Sequence, residues 1–229
     1  MKYKIDNYHP GDGAFPSHIG LIPDGARRWA KINNADLLYS YKYAMENIIR
    51  IVDYLFTEQT KTISVYMSSD YNFRRTKEEV DAICRSEEWF CSVLIPILAE
   101  NHATKIVAVG QLEHLPDYFV KTIQTVQGST ENKRGTQLNL CIAYNPLREI
   151  EKAFVEKHTE SSFLDYLEVK DPIDLIIRSS GANLLSNFLP IQAGFARLYF
   201  IDKLFNDITI TDIREILESF AVLQRLYGN

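Results

Sequence analysis

The chain has 229 residues, of which 46% are hydrophobic, and this is enough for one large domain with a single core. Its formal net charge of −5 argues against nucleic-acid binding, because proteins that bind the phosphate backbone usually carry clustered positive charge. The three cysteines lack metal-binding spacing and no apolar run reaches about eighteen residues, so we expect a cytoplasmic protein without stable membrane insertion.

The N-terminal residues 1–17 are predicted to form a polar arm, since they contain no apolar segment of the kind found in a secretory signal. Residues 18–229 contain no internal repeat, low-complexity tract or linker. We therefore expect one domain over 18–229.

Short β-branched or apolar runs alternate with long amphipathic runs along this domain. They predict strands at 18–22, 62–67, 105–110, 137–144, 173–179 and 197–200, and helices at 36–58, 76–101, 114–130, 146–158, 161–168 and 209–226. Apolar strands that alternate with helices are typical of a parallel sheet covered on both faces. We expect an α/β fold, a single domain with a mostly parallel central sheet of about six strands flanked by helices.

Polar segments follow the predicted strands at the points where the strands end. "PDGARR" follows the first strand, "SSDYNFRR" the second, "NPLRE" the fourth and "RSSGANLLSN" the fifth. In open parallel sheets, ligands bind beyond the carboxyl ends of the strands. We therefore expect the functional residues to gather at that edge of the sheet.

Asp24 stands between Pro23 and Gly25 at the end of the first predicted strand. A carboxylate there can hold Mg²⁺, which in turn holds a diphosphate, although an Asp-Gly pair also commonly forms the turn before a helix. Arg27 and Arg28 favour the first interpretation, because guanidinium groups match phosphate oxygens and helix N-terminal amides add partial positive charge. The segment predicts a phosphate site with Asp24 as a metal ligand.

The second polar segment, 68–79, leads into a predicted helix. Thr76 and Glu79 have the spacing of a helix N-cap and its capping box. That local role does not account for the hydroxyl, amide and guanidinium groups just before the helix, which are those of Ser68, Ser69, Asn72 and Arg74. These groups are candidates for the ligand site.

The third polar segment begins at Arg178, which ends a very apolar predicted strand. Its charge must therefore lie at the mouth of the strand or be paired. The loop that follows supplies hydroxyl, glycine and amide groups that suit anion binding, and these come from Ser179, Ser180, Gly181, Ser186 and Asn187.

The predicted helix at 76–101 is apolar around much of its circumference and contains Pro96. A proline inside a helix removes a backbone hydrogen bond and kinks the helix. The apolar stretch "WFCSVLIPILA" is compatible with a buried core helix and equally with the wall of an apolar pocket.

Four segments together resemble the cis-prenyltransferases, the undecaprenyl diphosphate synthase family. These are "HIGLIPDGARRWAK", "SVYMSSDYNFRRTKEEV", "LNLCIAYNPLREI" and "DLIIRSSGANLLSNFLPIQAGFARLYF", and the resemblance runs from His18 to Gly228. Several of these motifs are more similar to those of one branch of the family, which includes cyclolavandulyl diphosphate synthase and makes irregular, branched or cyclic monoterpenyl diphosphates. The resemblance implies a cis-prenyltransferase-like catalytic domain over 18–229.

By this resemblance the chain processes an allylic prenyl diphosphate, which family members condense with isopentenyl diphosphate. Asp24 is implied to be the essential acid and the residue that binds Mg²⁺. Gly25 and Arg28 are implied to cradle the allylic diphosphate, and Arg27 adds a further cation beside them.

The resemblance also assigns roles to the other two segments. Ser69 and Asn72 fall in the loop that positions substrate and removes a proton, and Arg74 lies among the diphosphate-binding residues. Arg178 and Ser186 match two ligands of isopentenyl diphosphate.

The departures from the family pattern concentrate on the isopentenyl diphosphate and metal site. Leu184 replaces a second diphosphate-binding arginine, and Arg197 replaces a glutamate that assists Mg²⁺ binding. Two further departures are at Leu37 and Tyr41, where the family has an arginine and a histidine, and a third is in the C-terminal Leu226-Tyr227-Gly228. Mg²⁺ dependence is therefore expected to weaken, with the guanidinium of Arg197 standing in for the metal at the diphosphate.

Three functions remain open from the sequence. The chain ionises one short allylic diphosphate in a terpene synthase-like reaction, or couples two diphosphates irregularly, head to middle, or serves as a non-catalytic subunit of a two-component synthase. The resemblance also implies a homodimer, since the family pairs through the region after the fifth strand. The predicted helix at 209–226 carries apolar residues at helical spacing that can face a partner or the core.

Overall fold

The computed structural model describes residues 15–158 and 160–222, which fold around a six-stranded parallel sheet. The strands are β1 (His18–Ile22), β2 (Thr62–Tyr66), β3 (Thr104–Val109), β4 (Thr136–Cys141), β5 (Leu175–Arg178) and β6 (Arg197–Phe200). The helices are α1 (Ala26–Ile32), α2 (Leu37–Thr57), α3 (Lys77–Trp89), α4 (Ile95–Asn101), α5 (Asp117–Thr130), α6 (Pro146–Glu156) and α7 (Ile210–Val222).

The strands are arranged in the order β3-β4-β2-β1-β5-β6, and every neighbouring pair is parallel. Alternate residues of a strand face opposite sides of the sheet, so the buried apolar strands fill two cores. On β1, Ile19 and Leu21 pack into the larger core with α2, α3, α5 and α7, whereas Ile22 packs into the smaller core on the other face. The predicted α/β fold with a parallel sheet is confirmed.

The connections leave β1 between β2 and β5, so the chain runs outward to both sides of this strand. Such a topological switch point opens a crevice at the carboxyl ends of the strands. The segments after β1, β2 and β5 therefore meet at one place, as the order of the polar segments predicts.

The predicted helix at 76–101 is divided into α3, a π-helical turn at Phe90–Leu94, and α4, in which Pro96 occupies the first turn. A proline is tolerated in a first turn because its missing N–H would have no intrahelical partner there. Phe90, Cys91 and Ile95 pack into the larger core, so this part of the apolar stretch is core and not pocket wall.

Two helices differ from the expectation. α1 was not among the predicted helices, and the predicted helix at 161–168 is a single 3₁₀ turn at Phe163–Tyr166. The predicted arm falls almost entirely on residues 1–14, and the segment Leu226-Tyr227-Gly228 also lies outside the described residues. No helix within the described ranges is long and apolar enough to cross a membrane.

The apolar face of α7 packs inside the molecule. Ile213, Ile216, Leu217 and Phe220 are all buried members of the larger core. Of the two interpretations of this face, the structure therefore supports the core and not a subunit interface.

Candidate active site

A cavity of about 470 Å³, here called the main cavity, opens at the carboxyl ends of β1, β2 and β5. Its wall also includes residues of α1, α2 and α3. The cavity wall combines charged, polar and apolar side chains, and its residues include Asp24, Gly25, Arg27, Arg28, Tyr41, Met45, Met67, Ser68, Ser69, Asn72, Arg75, Ile83, Ser86, Glu87, Arg178 and Ser186. The predicted gathering is thus observed for the polar segments after β1, β2 and β5, whereas the segment after β4 lines a different cavity.

The backbone of Asp24 is fixed by hydrogen bonds from both sides. The Asp24 N–H donates to Ser179 Oγ at 2.8 Å, and the Asp24 carbonyl accepts from the Phe205 N–H at 3.1 Å. Gly25 follows with φ of 115°, a left-handed conformation that L side chains rarely adopt, and a Cβ there would approach Leu204 Cδ2 to 2.8 Å. The glycine is required for this turn, which begins α1 and leaves the Asp24 side chain on the cavity wall.

Asp24 forms an ion pair with Arg178 at the mouth of β5. Arg178 Nη2 donates to Asp24 Oδ2 at 3.0 Å, and Nη1 donates to Ser186 Oγ at 2.8 Å and to the Leu184 carbonyl at 2.6 Å. The Arg178 side chain is only 7% exposed. A buried guanidinium held this way is pre-oriented to meet an anion, and the predicted pairing of its charge is observed.

Arg27 and Arg28 project from α1 into the more exposed part of the main cavity. Arg28 Nη2 lies 3.6 Å from Asp24 Oδ1, and Arg28 Nη1 donates to the Ser180 carbonyl at 3.3 Å. Arg27 Nε lies 3.4 Å from Glu79 Oε1. Both guanidinium groups are more than half exposed, so they can reorient toward a ligand that enters the cavity.

Ser69 and Asn72 contact each other directly. Asn72 Oδ1 accepts from the Ser69 N–H at 2.7 Å and from Ser69 Oγ at 2.9 Å. These bonds close the 3₁₀ turn at Asp70–Arg74 and place both side chains on the cavity wall, where the resemblance assigns them.

Arg75, and not Arg74, brings the positive charge of this segment into the main cavity. The Arg74 side chain is 70% exposed, lies 3.7 Å from Asp70 Oδ2 and stacks over the Tyr71 ring outside the cavity. The structure thus places Arg75 in the cavity wall, and it places Arg74, predicted among the diphosphate-binding residues, outside that wall. Arg74 and Arg75 are adjacent in the chain, but their side chains point in different directions because of the 3₁₀ turn at Asp70–Arg74. The sequence does not indicate this turn.

Glu79 organises this group of cations. Its Oε1 accepts from Arg75 Nη1 at 2.5 Å and from Tyr41 Oη at 3.4 Å, beside the Arg27 contact described above. Thr76 is the N-cap of α3, as predicted, and accepts from the Glu79 N–H at 3.3 Å. The Glu79 carboxylate, however, binds the cavity cations instead of closing a capping box.

Arg197 lies away from the main cavity of its own chain. It is the first residue of β6 and pairs in register with Leu175, whereas Arg178 pairs with Phe200 three residues later, about 10 Å along the strand. Its Nη1 donates to the Phe220 carbonyl at 2.9 Å, and its guanidinium lies 5.1 Å from the Phe220 ring centre. The structure therefore places Arg197, predicted to bind the diphosphate in place of a metal, outside the main cavity.

Glu87 is a cavity residue that the sequence did not indicate. It is 1% exposed and lies on α3 beside Ser68, whose Oγ donates to Glu87 Oε2 at 3.2 Å. Burial raises the pKa of Glu87 to about 8, an effect that the hydrogen bond from Ser68 partly opposes. A glutamate among helical charged residues usually faces solvent, so only the fold reveals this one.

A second cavity, here called the side cavity, adjoins the main one. It measures about 550 Å³ and is lined by Ser69, Tyr71, Leu185, Ser186 and Asn187. Ser186 and Asn187 both have positive φ, and their loop forms one wall. No basic side chain is among these lining residues, although Ser186 is shared with the main cavity.

Asp24 is the carboxylate in the main cavity that is suited to hold a divalent cation. Its side chain is 36% exposed, whereas Glu87 is buried. Among the described residues there is no group of three or more metal-ligating side chains. Mg²⁺ commonly uses one or two carboxylates together with substrate phosphates, so the residues present fit a metal that arrives with a diphosphate.

The comparison with known families decides the class of this site. A family model described as putative undecaprenyl diphosphate synthase matches residues 22–228. The chain belongs to the undecaprenyl diphosphate synthase family. The resemblance found in the four sequence segments is thereby confirmed. Relatives of this chain in the family are prenyl diphosphate synthases.

A tritrans,polycis-undecaprenyl-diphosphate synthase from Thermoplasma acidophilum, specific for geranylgeranyl diphosphate, is 31% identical over 93% of this chain and 89% of its own length. An isoprenyl transferase from Streptococcus pyogenes is 29% identical and covers 94% of both chains. The crystal structure of lavandulyl diphosphate synthase from Lavandula x intermedia, in complex with dimethylallyl diphosphate, matches with a TM-score of 0.89. It is 26% identical and covers 94% of this chain and 99% of that one.

Proposed function

We propose that this family member binds one short allylic prenyl diphosphate and ionises it, in a conversion of the terpene synthase type. The observation that carries the proposal is the difference between the two adjacent cavities. Four arginines line the main cavity, which are Arg27, Arg28, Arg75 and Arg178, whereas none lines the side cavity. Since a diphosphate requires several charge-assisted contacts, the arrangement suits one diphosphate better than two.

The main cavity has the charge distribution that ionisation needs. When the bond from the allylic carbon to oxygen breaks, its electron pair remains on the departing diphosphate. Arg28, Arg75 and Arg178 are placed to stabilise that charge. The carbocation left behind meets apolar wall, including Met45 and Ile83, which excludes most water from it.

Asp24 orients Arg178 through their ion pair and offers its carboxylate to Mg²⁺. The metal, when bound, neutralises part of the diphosphate charge. We expect the four arginines to supply enough positive charge for measurable turnover in its absence. Since Arg197 lies elsewhere, this expectation now depends on the arginines of the main cavity.

An irregular, head-to-middle coupling of two diphosphates is the second candidate. The likeness to lavandulyl diphosphate synthase, whose structure holds dimethylallyl diphosphate, favours it. In that reaction the side cavity would receive the second substrate and Ser186 would be shared between the two sites.

The test is to incubate the pure protein with dimethylallyl, geranyl, farnesyl and geranylgeranyl diphosphates, each with and without isopentenyl diphosphate. Volatile and phosphatase-treated products are identified by mass spectrometry, in millimolar Mg²⁺ and in EDTA. Products from one allylic diphosphate alone support the proposal, whereas coupled products only would favour the second candidate. A protein inactive in every mixture would instead be a non-catalytic subunit, and complete loss of activity in EDTA would refute the weakened metal dependence.

We also propose a cytoplasmic homodimer. Cys84, Cys91 and Cys141 are free and buried, which suits a reducing compartment. The edge strand β6 exposes Leu198, and Phe195 just before it is also exposed. An apolar sheet edge of this kind favours association with a second copy.

A further inference from the structure

Glu87 is a buried carboxyl group that the ionisation step does not use. Ser68 Oγ accepts from the Ala143 N–H at 3.1 Å while donating to Glu87 Oε2. Glu87 Oε1 has no hydrogen-bond partner among the described residues, although its surroundings exclude it from solvent. Unsatisfied buried oxygens of this kind are rare, because the desolvation of the group is not compensated.

The adjacent hydroxyl group of Ser86 does not donate a hydrogen bond to Glu87 Oε1. Ser86 Oγ, the adjacent hydroxyl on α3, donates to the Ile83 carbonyl at 2.8 Å. Met45 and Ile83 line the same cavity and contribute apolar surface. The carboxyl group therefore borders a part of the cavity wall that suits a hydrocarbon chain.

Burial keeps the thiol and phenol groups of the neighbouring cysteines and tyrosines protonated around neutral pH. Burial raises the pKa values of the Cys84 thiol and the Tyr41 hydroxyl to about 12, and those of Cys91 and Tyr66 are raised further by the same cause. The charged groups that line the cavity are Asp24, Arg27, Arg28, Arg75 and Arg178. The pKa of Glu87, about 8, places the protonation change of this carboxyl group close to neutral pH.

We propose that Glu87 is the base that removes a proton from the carbocation formed in the main cavity. This inference rests on the proposed ionisation of an allylic diphosphate. The ester C–O bond breaks first, and its electron pair leaves with the diphosphate. A C–H bond next to the cationic carbon then breaks, its electron pair forms a C=C bond, and the proton passes to Glu87 Oε1. The proton is returned to water when the products leave.

Glu87 can accept a proton only when its carboxyl group is ionised. Below pH 8 this is so in a minority of the molecules, and the ionised fraction increases as the pH rises. A positive charge placed beside the carboxyl group further favours that form. Ser68 holds the carboxyl by its other oxygen, so Ser68 is a positioning residue.

The test compares the wild type with Glu87→Gln, which keeps the size of the side chain but cannot accept the proton. Glu88→Gln is the matched control, because Glu88 is the next residue and accepts from Thr122 Oγ1 away from the cavity. The probes are geranyl and farnesyl diphosphates, at pH values from 6 to 9. Two quantities are measured. The first is the amount of diphosphate released, and the second is the ratio between products that have lost a proton and alcohols that have formed by addition of water.

We expect Glu87→Gln to release diphosphate within about threefold of the wild type, while its ratio of proton-loss products to alcohols falls by about tenfold or more. The wild-type ratio should rise with pH up to about pH 8, and this rise should vanish in the variant and persist in Glu88→Gln. An unchanged ratio or an unchanged pH profile in Glu87→Gln overturns the role of Glu87 alone. Absence of diphosphate release by the wild type overturns the proposed function and this role with it.

Discussion

Three side chains at the centre of the site depend on one another: Asp24, Arg178 and Ser186. The buried guanidinium of Arg178 has a carboxylate on one side and a hydroxyl on the other, so its position is fixed before substrate arrives. An enzyme gains most from groups that need no reorganisation as charge develops. This pre-orientation is the physical reason to expect Asp24 to be essential.

Replacement of Asp24 by alanine should abolish diphosphate release while leaving the fold intact. The residue lies on a partly exposed turn, and its loss removes one charge-assisted hydrogen bond, which costs about 1.5–3 kcal/mol of stability. Asp24→Asn is the matched control, since it keeps an acceptor for Arg178 without the negative charge. Circular dichroism melts and diphosphate release measure the two effects, and near-full activity of Asp24→Ala would refute the assignment.

The neighbouring residues Arg74 and Arg75 provide a direct test of the placement of Arg75 in the cavity wall. Arg75→Ala should lower kcat/KM for an allylic diphosphate about tenfold to a hundredfold, the equivalent of one charge-assisted contact. Arg74→Ala should stay within about twofold, because the Arg74 side chain lies outside the main cavity. Equal losses in both variants, or a greater loss in Arg74→Ala, would contradict the geometry.

The limits of prediction at this scale come from side-chain direction. Asp24, Arg28, Ser69 and Asn72 follow strand ends and Arg178 ends β5, so the apolar pattern that predicts the strands also predicts where these residues lie. Arg74 was predicted in the site but lies outside the main cavity, because adjacent residues of a 3₁₀ turn point in different directions. The sequence did not indicate Glu87, since burial of one helical carboxyl depends on tertiary packing.

At the scale of elements, the strands were predicted well because all six are short apolar runs. α1 was not predicted, since a seven-residue helix after a turn shows too little of the helical period. The predicted helix at 161–168 shrinks to one 3₁₀ turn for a similar reason. Helix α3 is the most informative element, because it combines cavity wall, core and the buried carboxyl of Glu87.

This arrangement of α3 makes stability depend on pH. The pKa of Glu87 is raised from 4.5 to about 8 by burial, so between these values the folded protein keeps a proton that the unfolded chain has lost. The free energy of unfolding should therefore fall as pH rises from about 4.5 to 8, by about 1 kcal/mol for each pH unit from this group.

Glu87→Gln should lack this contribution and become progressively more stable than the wild type across that range. Urea denaturation of both proteins at pH 5, 6, 7 and 8 measures the difference, with Glu88→Gln as the control. A difference between Glu87→Gln and the wild type that stays constant over the range would show that Glu87 is not a buried acid in solution.

At the scale of the whole molecule, the sheet order places the main cavity, with its four arginines, at the topological switch point. The exposed edge of β6 lies two strands from β1, on the far side of β5. The protein can therefore form a dimer through β6 without covering the mouth of the main cavity.

Light scattering at micromolar concentration should give the mass of a dimer. Leu198→Glu should shift it toward the monomer, because it places a charge on the apolar edge. Leu147→Glu is the control, since this exposed residue lies on α6. A wild-type monomer, or equal effects of the two variants, would contradict association through β6.

The proposed reaction requires that one allylic diphosphate is ionised in the main cavity without a second substrate. The most direct measurement is the release of inorganic diphosphate from geranyl or farnesyl diphosphate alone, by the wild type and by Asp24→Ala. We expect steady release by the wild type and at least about a hundredfold less by the variant. Release that requires isopentenyl diphosphate, or that is equal in the two proteins, would contradict this expectation.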